Sequence, residues 1–271
     1  MAQISYTASL TNGAKQVLIP SGLKTPYGGC VSVAGGDVRE IIEPYTHQKA
    51  LLMDVTSDSV RIEFNFDTAA NAYPDIMFQP KPSRYSKFAS DLVAEVDDVI
   101  GNASGYALLQ HIACHVAERF TYGHPDVAFN DEAQVIPALG CGIVQGSCVD
   151  INTYFLAALR SAGIDAGYVT GFFFPQEKQN TCDDGHCWVV TRHDGETLEW
   201  DIAHHLKMGT RDIQAGLNPK PGKRFACFHS MGLDFPELDV YGIKALIEPL
   251  QVQDGKLSAF IDPVIEVSES E

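Results

Sequence analysis

From residue 1 to about residue 86 the apolar positions recur with the period of β-strands. The clearest run is Val60-Arg-Ile-Glu-Phe-Asn-Phe66, in which Val60, Ile62, Phe64 and Phe66 face one way and Arg61, Glu63 and Asn65 the other. Lys49 to Val55 is a second strand candidate, and the turn formers Ser21-Gly22 and Gly35-Gly36-Asp37 punctuate the region. A proline-rich stretch from Pro74 to Pro82 reads as a boundary loop. The period then changes. Leu92, Val93, Val96 and Ile100 share one face of a helix over 89–100, and Leu108, Leu109, Ile112 and Val116 one face of a helix over 106–120. After an irregular stretch from Thr121 to Gly146, a third helix begins near Cys148, and strands are predicted over 166–174, 186–192 and 197–203. The tail from residue 216 is mixed, with Lys244-Ala-Leu-Ile-Glu248 a short strand candidate. The pattern predicts an α+β protein: a β domain over 1–86, then a mixed domain over 87–271 with a C-terminal β extension.

Charge removes several function classes. The 271 residues carry 19 Lys and Arg against 35 Asp and Glu, a formal charge of −16. Binding phosphates takes clustered cations, so neither nucleic acid nor an anionic membrane surface is an expected partner. No run approaches the roughly 18 apolar residues of a spanning helix. The N-terminal residues lack a basic flank followed by a long apolar run, so no secretory signal is read and a cytoplasmic location is expected. Seven cysteines cannot all pair, and without a leader free thiols are the expectation. The oligomeric state is not encoded in these features.

The question is then whether one thiol is reactive. In Gly146-Ser-Cys-Val-Asp150, Ser147 is a good N-cap with Asp150 at the capping-box spacing, and Gly163 is a natural terminator of the helix. Cys148 therefore lies in a first helical turn, where free backbone N–H groups and the helix dipole favour a thiolate. Small neighbours leave room for a substrate. The plainer alternative is a buried structural cysteine. Of the nine histidines, His111 and His115 have metal-like i, i+4 spacing, but no Glu follows the first and a surface or packing role is preferred. His186 is the better base candidate. It opens a strand that Asp194-Gly195 turns back as a two-residue hairpin. Counting from that turn pairs His193 with Glu196, sets Trp188 opposite Asp201, and leaves His186, Trp188 and Asp201 on one face. A carboxylate there would orient the imidazole and stabilise its protonated form. Gln145 is a candidate oxyanion-hole donor beside the Cys148 N–H, weighed against a solvated loop amide. Trp188 is a candidate cleft residue that packs beside the histidine. A zinc set of Cys182, His186 and Cys187 is set aside, because adjacent strand residues point to opposite faces. His204, His205 and His229 receive no role. No metal or cofactor is expected.

Gly146-Ser-Cys148, the helix through Ala157-Ala-Leu-Arg-Ser-Ala-Gly-Ile164, the strand Tyr168-Val-Thr-Gly171, then Gly185-His186-Cys-Trp188 and Trp200-Asp201 resemble, in order, the core of the transglutaminase-like superfamily. The resemblance covers about 120–206, and the β region before it resembles the domain that often precedes this core in bacterial members. It implies a papain-like α+β core, with the cysteine helix packed on an antiparallel sheet. It also implies a Cys148-His186-Asp201 triad and acyl transfer from an amide through a thioester. The sequence departs from the family pattern in two places: Asp201-Ile-Ala203 stands where Asp-Pro-Thr is usual, and Cys187 where alanine is usual.

The reading that follows is a cysteine hydrolase of peptide or side-chain amides (peptidase, isopeptidase or deamidase), like the bacterial members regarded as cysteine proteases, with a peptide or protein amide as substrate. Water is always available as acceptor, whereas an amine-transferring cross-linker needs an acceptor site that the sequence does not mark. A non-catalytic binding module on the same fold and an arylamine acetyltransferase compete with both. The acetyltransferase is ranked low, since no Arg-Gly-Gly leads into Cys148.

Overall fold

The computed structural model describes residues 1–11, 13–216 and 218–269. The chain divides into two units whose segments interleave: one gathers Met1–Pro74, Val169–His186 and the stretch from Pro221 onward, the other Asp75–Tyr168 and Cys187–Lys220. The sequence pattern places one cut after residue 86. The first division falls instead at Pro74, inside the proline-rich stretch, and the chain re-enters the first unit twice. The physical reason is strand pairing over long separations. Ala2–Ser9 pairs with Val264–Glu269, and Gln16–Pro20 with Leu250–Gln253, so the tail belongs to the sheets that the first residues begin.

Among the described residues, the first unit holds two large antiparallel sheets beside the short pair Leu233–Phe235 and Val240–Ile243. Six strands run in the order Thr181–Cys182, Val264–Glu269, Ala2–Ser9, Ser59–Asp67, Gly28–Ala34 and Lys24–Thr25. Five more run Lys256–Ala259, Leu250–Gln253, Gln16–Pro20, Lys49–Asp54 and Asp37–Ile42. The alternation seen in sequence is realised: Val60, Ile62, Phe64 and Phe66 are all buried, and Ile4 and Tyr6 oppose Phe64 and Ile62 across the pair. Phe172 packs its ring on Tyr6 and Phe64, with centroids 6.4 and 5.7 Å away. Lys244–Glu248 forms no strand. Its apolar residue Leu246 is fully buried, and its carbonyl accepts a 2.7 Å hydrogen bond from the Thr170 hydroxyl, so side-chain burial without a ladder explains the strand-like pattern.

The second unit carries helices α1 (Ser90–Ile100), α2 (Gly105–Arg119), α3 (Cys148–Ser161) and α4 (Ile202–Lys207). The first two bury the faces read from the sequence, Leu92 and Val96 on α1, and Leu109, Ile112 and Val116 on α2. Helix α3 is buried over most of its length, and Gly163, at φ +73°, lets the chain leave it in the left-handed conformation. The hairpin closes as counted. Asp194 and Gly195 sit at φ +51° and +81°, the mirror-turn geometry that matches strand twist, and the register runs from His193 opposite Glu196 to Val189 opposite Trp200. Trp200 anchors that hairpin: it stacks on Tyr106 of α2 at 5.9 Å, meets Phe155 of α3 edge-on at 6.1 Å, and donates to the Thr191 hydroxyl at 3.0 Å. Each such aromatic buried away from water contributes about 1.5–3 kcal/mol.

Candidate active site

Cys148 is the first residue of α3 and is 7% exposed. The capping box forms as the spacing predicts. The Ser147 N–H and hydroxyl both donate to Asp150 Oδ2 at 2.9 Å, and the Asp150 N–H returns to the Ser147 hydroxyl at 3.4 Å. This has two consequences for the thiol. The box aims the free end of the helix, with its partial positive charge, at the first turn, and it also places a buried carboxylate there that takes up part of the same field. Gly146 is explained by packing rather than by room for substrate, since a β-carbon there would come within 2.8 Å of the Phe120 ring and 3.0 Å of Asp150. Tyr168, fully buried, lies in the same neighbourhood. Burial first, then the Cys187 and Cys148 sulfurs, push its phenol well above the ordinary range.

His186 stands second in the strand Gly185–His193. One residue on, the Cys187 carbonyl accepts a 2.9 Å hydrogen bond from Asn152 Nδ2, and the Cys187 sulfur lies 3.5 Å from the same nitrogen. Asn152 is fully buried and one helical turn after Cys148. The nucleophile's helix is thus tied to the base's strand at the peptide next to His186. Sequence reasoning missed this bond. The available signal was a lone amide on a helix face otherwise made of Ile, Phe, Ala and Leu, because a buried amide requires a partner.

Asp201 is where expectation and structure part most. The strand predicted to reach residue 203 stops at Trp200, and Asp201 becomes the N-cap of α4. Its Oδ1 accepts the His204 backbone N–H at 3.0 Å, and its Oδ2 lies 2.9 Å from His204 Nδ1. The pairing of Trp188 with Asp201 counted from the hairpin is not formed, since the register ends at Val189 opposite Trp200, yet the carboxylate still comes to the histidine. A ring nitrogen of His186, a carboxylate oxygen of Asp201 and a ring nitrogen of His204 all lie within 4.8 Å of one another, all three side chains buried. Three such atoms can share protons or hold a cation. Asp201 already takes two contacts from His204, the satisfied arrangement of a proton network. His205, the next residue, is used differently. Its Nδ1 lies 2.8 Å from the Asp201 carbonyl and its Nε2 accepts the Gln214 N–H at 3.3 Å, so the proton sits on Nδ1 and the ring ties down the turn.

The remaining candidates fall elsewhere. Gln145 is exposed on the short strand Val144–Gly146, its amide folded over Gly123. Trp188 is buried beside Cys187. His111 is exposed while His115 is buried with its Nε2 2.6 Å from Glu95, so the two do not share a site. His229 belongs to the first unit, where burial holds its imidazole down to about 3. Burial also pushes the Cys30 thiol up to about 12, and the Cys182 and Cys227 thiols still further from the ordinary range.

With this geometry in view, the likeness to known proteins is specific. Residues 92–200 match the transglutaminase-like superfamily. That span takes in most of α1, all of α2 and α3, the strand of His186 and the hairpin up to the residue before Asp201. The α+β architecture also recurs, across 98% of this chain and 96% of the other at 11% identity and a TM-score of 0.52, in a protein from Cytophaga hutchinsonii named “a Putative Cysteine Protease”. The periplasmic domain of TgpA from Pseudomonas aeruginosa aligns over 76% of this chain and 75% of its own at 14% identity, with a TM-score of 0.36. No curated protein matches the chain in sequence. The matched span therefore takes in the cysteine helix and the histidine strand, and the β-rich first unit lies largely outside it.

Proposed function

We propose that the chain is a cysteine-dependent hydrolase of peptide or side-chain amides, with Cys148 as nucleophile, His186 as base and Asp201 as the carboxylate that orients it. Two observations support the reading: the buried Asp201 carboxylate gathered with the His186 ring, and a cysteine in a first helical turn. In the first half-reaction the Cys148 thiolate adds to the amide carbon. The C–N bond then breaks as the His186 imidazolium gives its proton to the leaving nitrogen, leaving a thioester. In the second, His186 takes a proton from water, the hydroxide adds to the thioester, and the acid leaves as Cys148 regains its thiol. The Cys148 N–H is assigned to the oxyanion.

The deciding experiment offers a panel of peptides and glutamine-containing substrates with a labelled primary amine at millimolar concentration. Release of ammonia or of a new amine terminus, lost in Cys148→Ala, is expected. Amine incorporation in excess of hydrolysis would make the chain a transferase. Indistinguishable wild type and Cys148→Ala would make it a binding module.

A further inference from the structure

We propose that His204 is a positioning residue for the reaction assigned to Cys148, His186 and Asp201, an inference that rests on that assignment. One residue takes both oxygens of the carboxylate. Its backbone N–H holds Oδ1 at 3.0 Å and its ring Nδ1 holds Oδ2 at 2.9 Å, in a pocket where Asp201 is 0% and His204 2% exposed. The first contact is ordinary N-capping, which any residue at that position of α4 would supply. The second depends on the histidine side chain. Oδ2 is an acceptor, so the bridging proton lies toward Nδ1, and the carboxylate plane is fixed before any substrate arrives. Asp201 is then shared between two imidazoles, and the His204 donor disperses part of its negative charge. A carboxylate so tempered holds the His186 imidazolium less tightly than a bare one would, so the His186 ring is neutral down to lower pH and available to take the proton from water when the thioester is hydrolysed.

The sequence carries this device as Asp201-Ile-Ala-His204, the place where it departs from the usual Asp-Pro-Thr. An Asp at the N-cap and a donor three residues later form a closed local pair, much as Ser147 and Asp150 do at α3 with the roles of acid and donor exchanged. His205 cannot substitute, because both its ring nitrogens are engaged with Gln214 and the Asp201 carbonyl.

The test uses p-nitrophenyl acetate as an acyl donor of known chemistry, with nitrophenolate release reporting acylation of Cys148 and the steady rate reporting hydrolysis of the thioester. His204→Phe keeps the volume and removes the donor, and His204→Asn restores an amide N–H near the Nδ1 position. His204→Phe is expected to slow hydrolysis of the thioester about 10- to 100-fold with KM little changed, and to move the acid limb of the hydrolysis pH profile upward, since Asp201 then holds the imidazolium harder and the neutral base appears only at higher pH. His204→Asn is expected to return the limb and most of the rate. Wild-type rate and limb in His204→Phe would overturn the inference, as would His204→Asn no better than His204→Phe with the limb in place. Should His204→Phe not fold, His204→Asn is compared with His204→Gln, whose donor is displaced by one methylene, and equal pH profiles overturn it. A wild type that gives no acylation dependent on Cys148 fails the parent reading instead, which keeps the two failures distinct.

Discussion

Five ionisable groups of the first unit and two of the second are held in opposite ways. In the first, desolvation leads the causes that keep His229, Cys30, Cys182, Cys227 and Glu248 neutral: the imidazole down to about 3, the Cys30 thiol up to about 12 with the other two thiols also raised, the carboxyl up to about 7. In the second, the Asp201 carboxylate is as deeply buried and is met by two donors from His204, while Glu95 is met by His115 at 2.6 Å and by the Gly140 N–H at 3.0 Å. Burial by itself abolishes charge, and burial with donors organises it. Chemistry that needs a thiolate and an imidazolium can be built only on the second pattern.

The most severe way to break this contrast is at the nucleophile. Cys148→Ala should remove amide hydrolysis by a factor on the order of 10³ or more, read as product release across the substrate panel. Asp201→Asn comes next. It keeps the shape and the cap on α4 but removes the charge that orients and holds the imidazolium. A fall on the order of 10²–10⁴ in turnover is expected with the thermal midpoint little changed, and full activity would show that the carboxylate is only a cap.

Selective labelling sharpens the comparison among thiols. With iodoacetamide at pH 6.5, mapped by peptide mass, Cys148 should react at least about 100 times faster than Cys30 or Cys227, whose thiols burial holds protonated. Equal rates would place Cys148 with the inert group.

Glu248 tests the first unit through stability. Its carboxyl is raised from 4.5 to about 7 by burial and then by Asp184, against a hydrogen bond from the Gly185 N–H, and its Oε2 is buried without a partner. The folded state therefore binds this proton more tightly than the unfolded chain. The stabilisation is complete below pH 4.5 and is lost as pH rises through 7. Denaturant unfolding of wild type and Glu248→Gln should diverge over that window, the wild type losing up to about 3 kcal/mol relative to the variant by pH 8. Parallel curves would mean the carboxyl stays ionised. The smallest effect is expected from Asp150→Asn, which weakens the α3 cap at a cost of about 0.5–2 kcal/mol. The same change removes the anion beside Cys148, so the labelling rate at pH 6 should rise even as the thermal midpoint falls.

What the sequence made legible was local. The period-2 run of Val60–Phe66, the capping box at Ser147 and the Asp194-Gly195 turn each specify their own geometry within a few residues, and all three formed as read. The family match over 92–200 covers the order of elements on which the functional reading stood. What escaped depended on distant partners. Counting a hairpin forward assumes that the strand continues, and nothing in Asp201-Ile-Ala announced that the aspartate would cap a helix until His204 was seen to close on it. Asn152 was passed over because an amide in a helix carries no periodic signal. The tail was assigned to the second domain because its partners, Ala2–Ser9 and Gln16–Pro20, lie some 250 residues earlier, a separation at which pattern gives no pairing information.

That pairing of Ala2–Ser9 with Val264–Glu269 has a consequence for how the molecule is made. A chain leaving the ribosome exposes its first strand, with Ile4 and Tyr6, long before Val264–Glu269 has been synthesised to cover that edge. Ser59–Asp67 can dock on the other edge early, but the sheet stays open on one side until Val264–Glu269 has been made. Closing so long a loop is slow, and an open strand edge is a template for unwanted pairing. A chain lacking Val264–Glu269 would therefore expose that edge and be disposed to aggregate even though Cys148, His186 and Asp201 were all present.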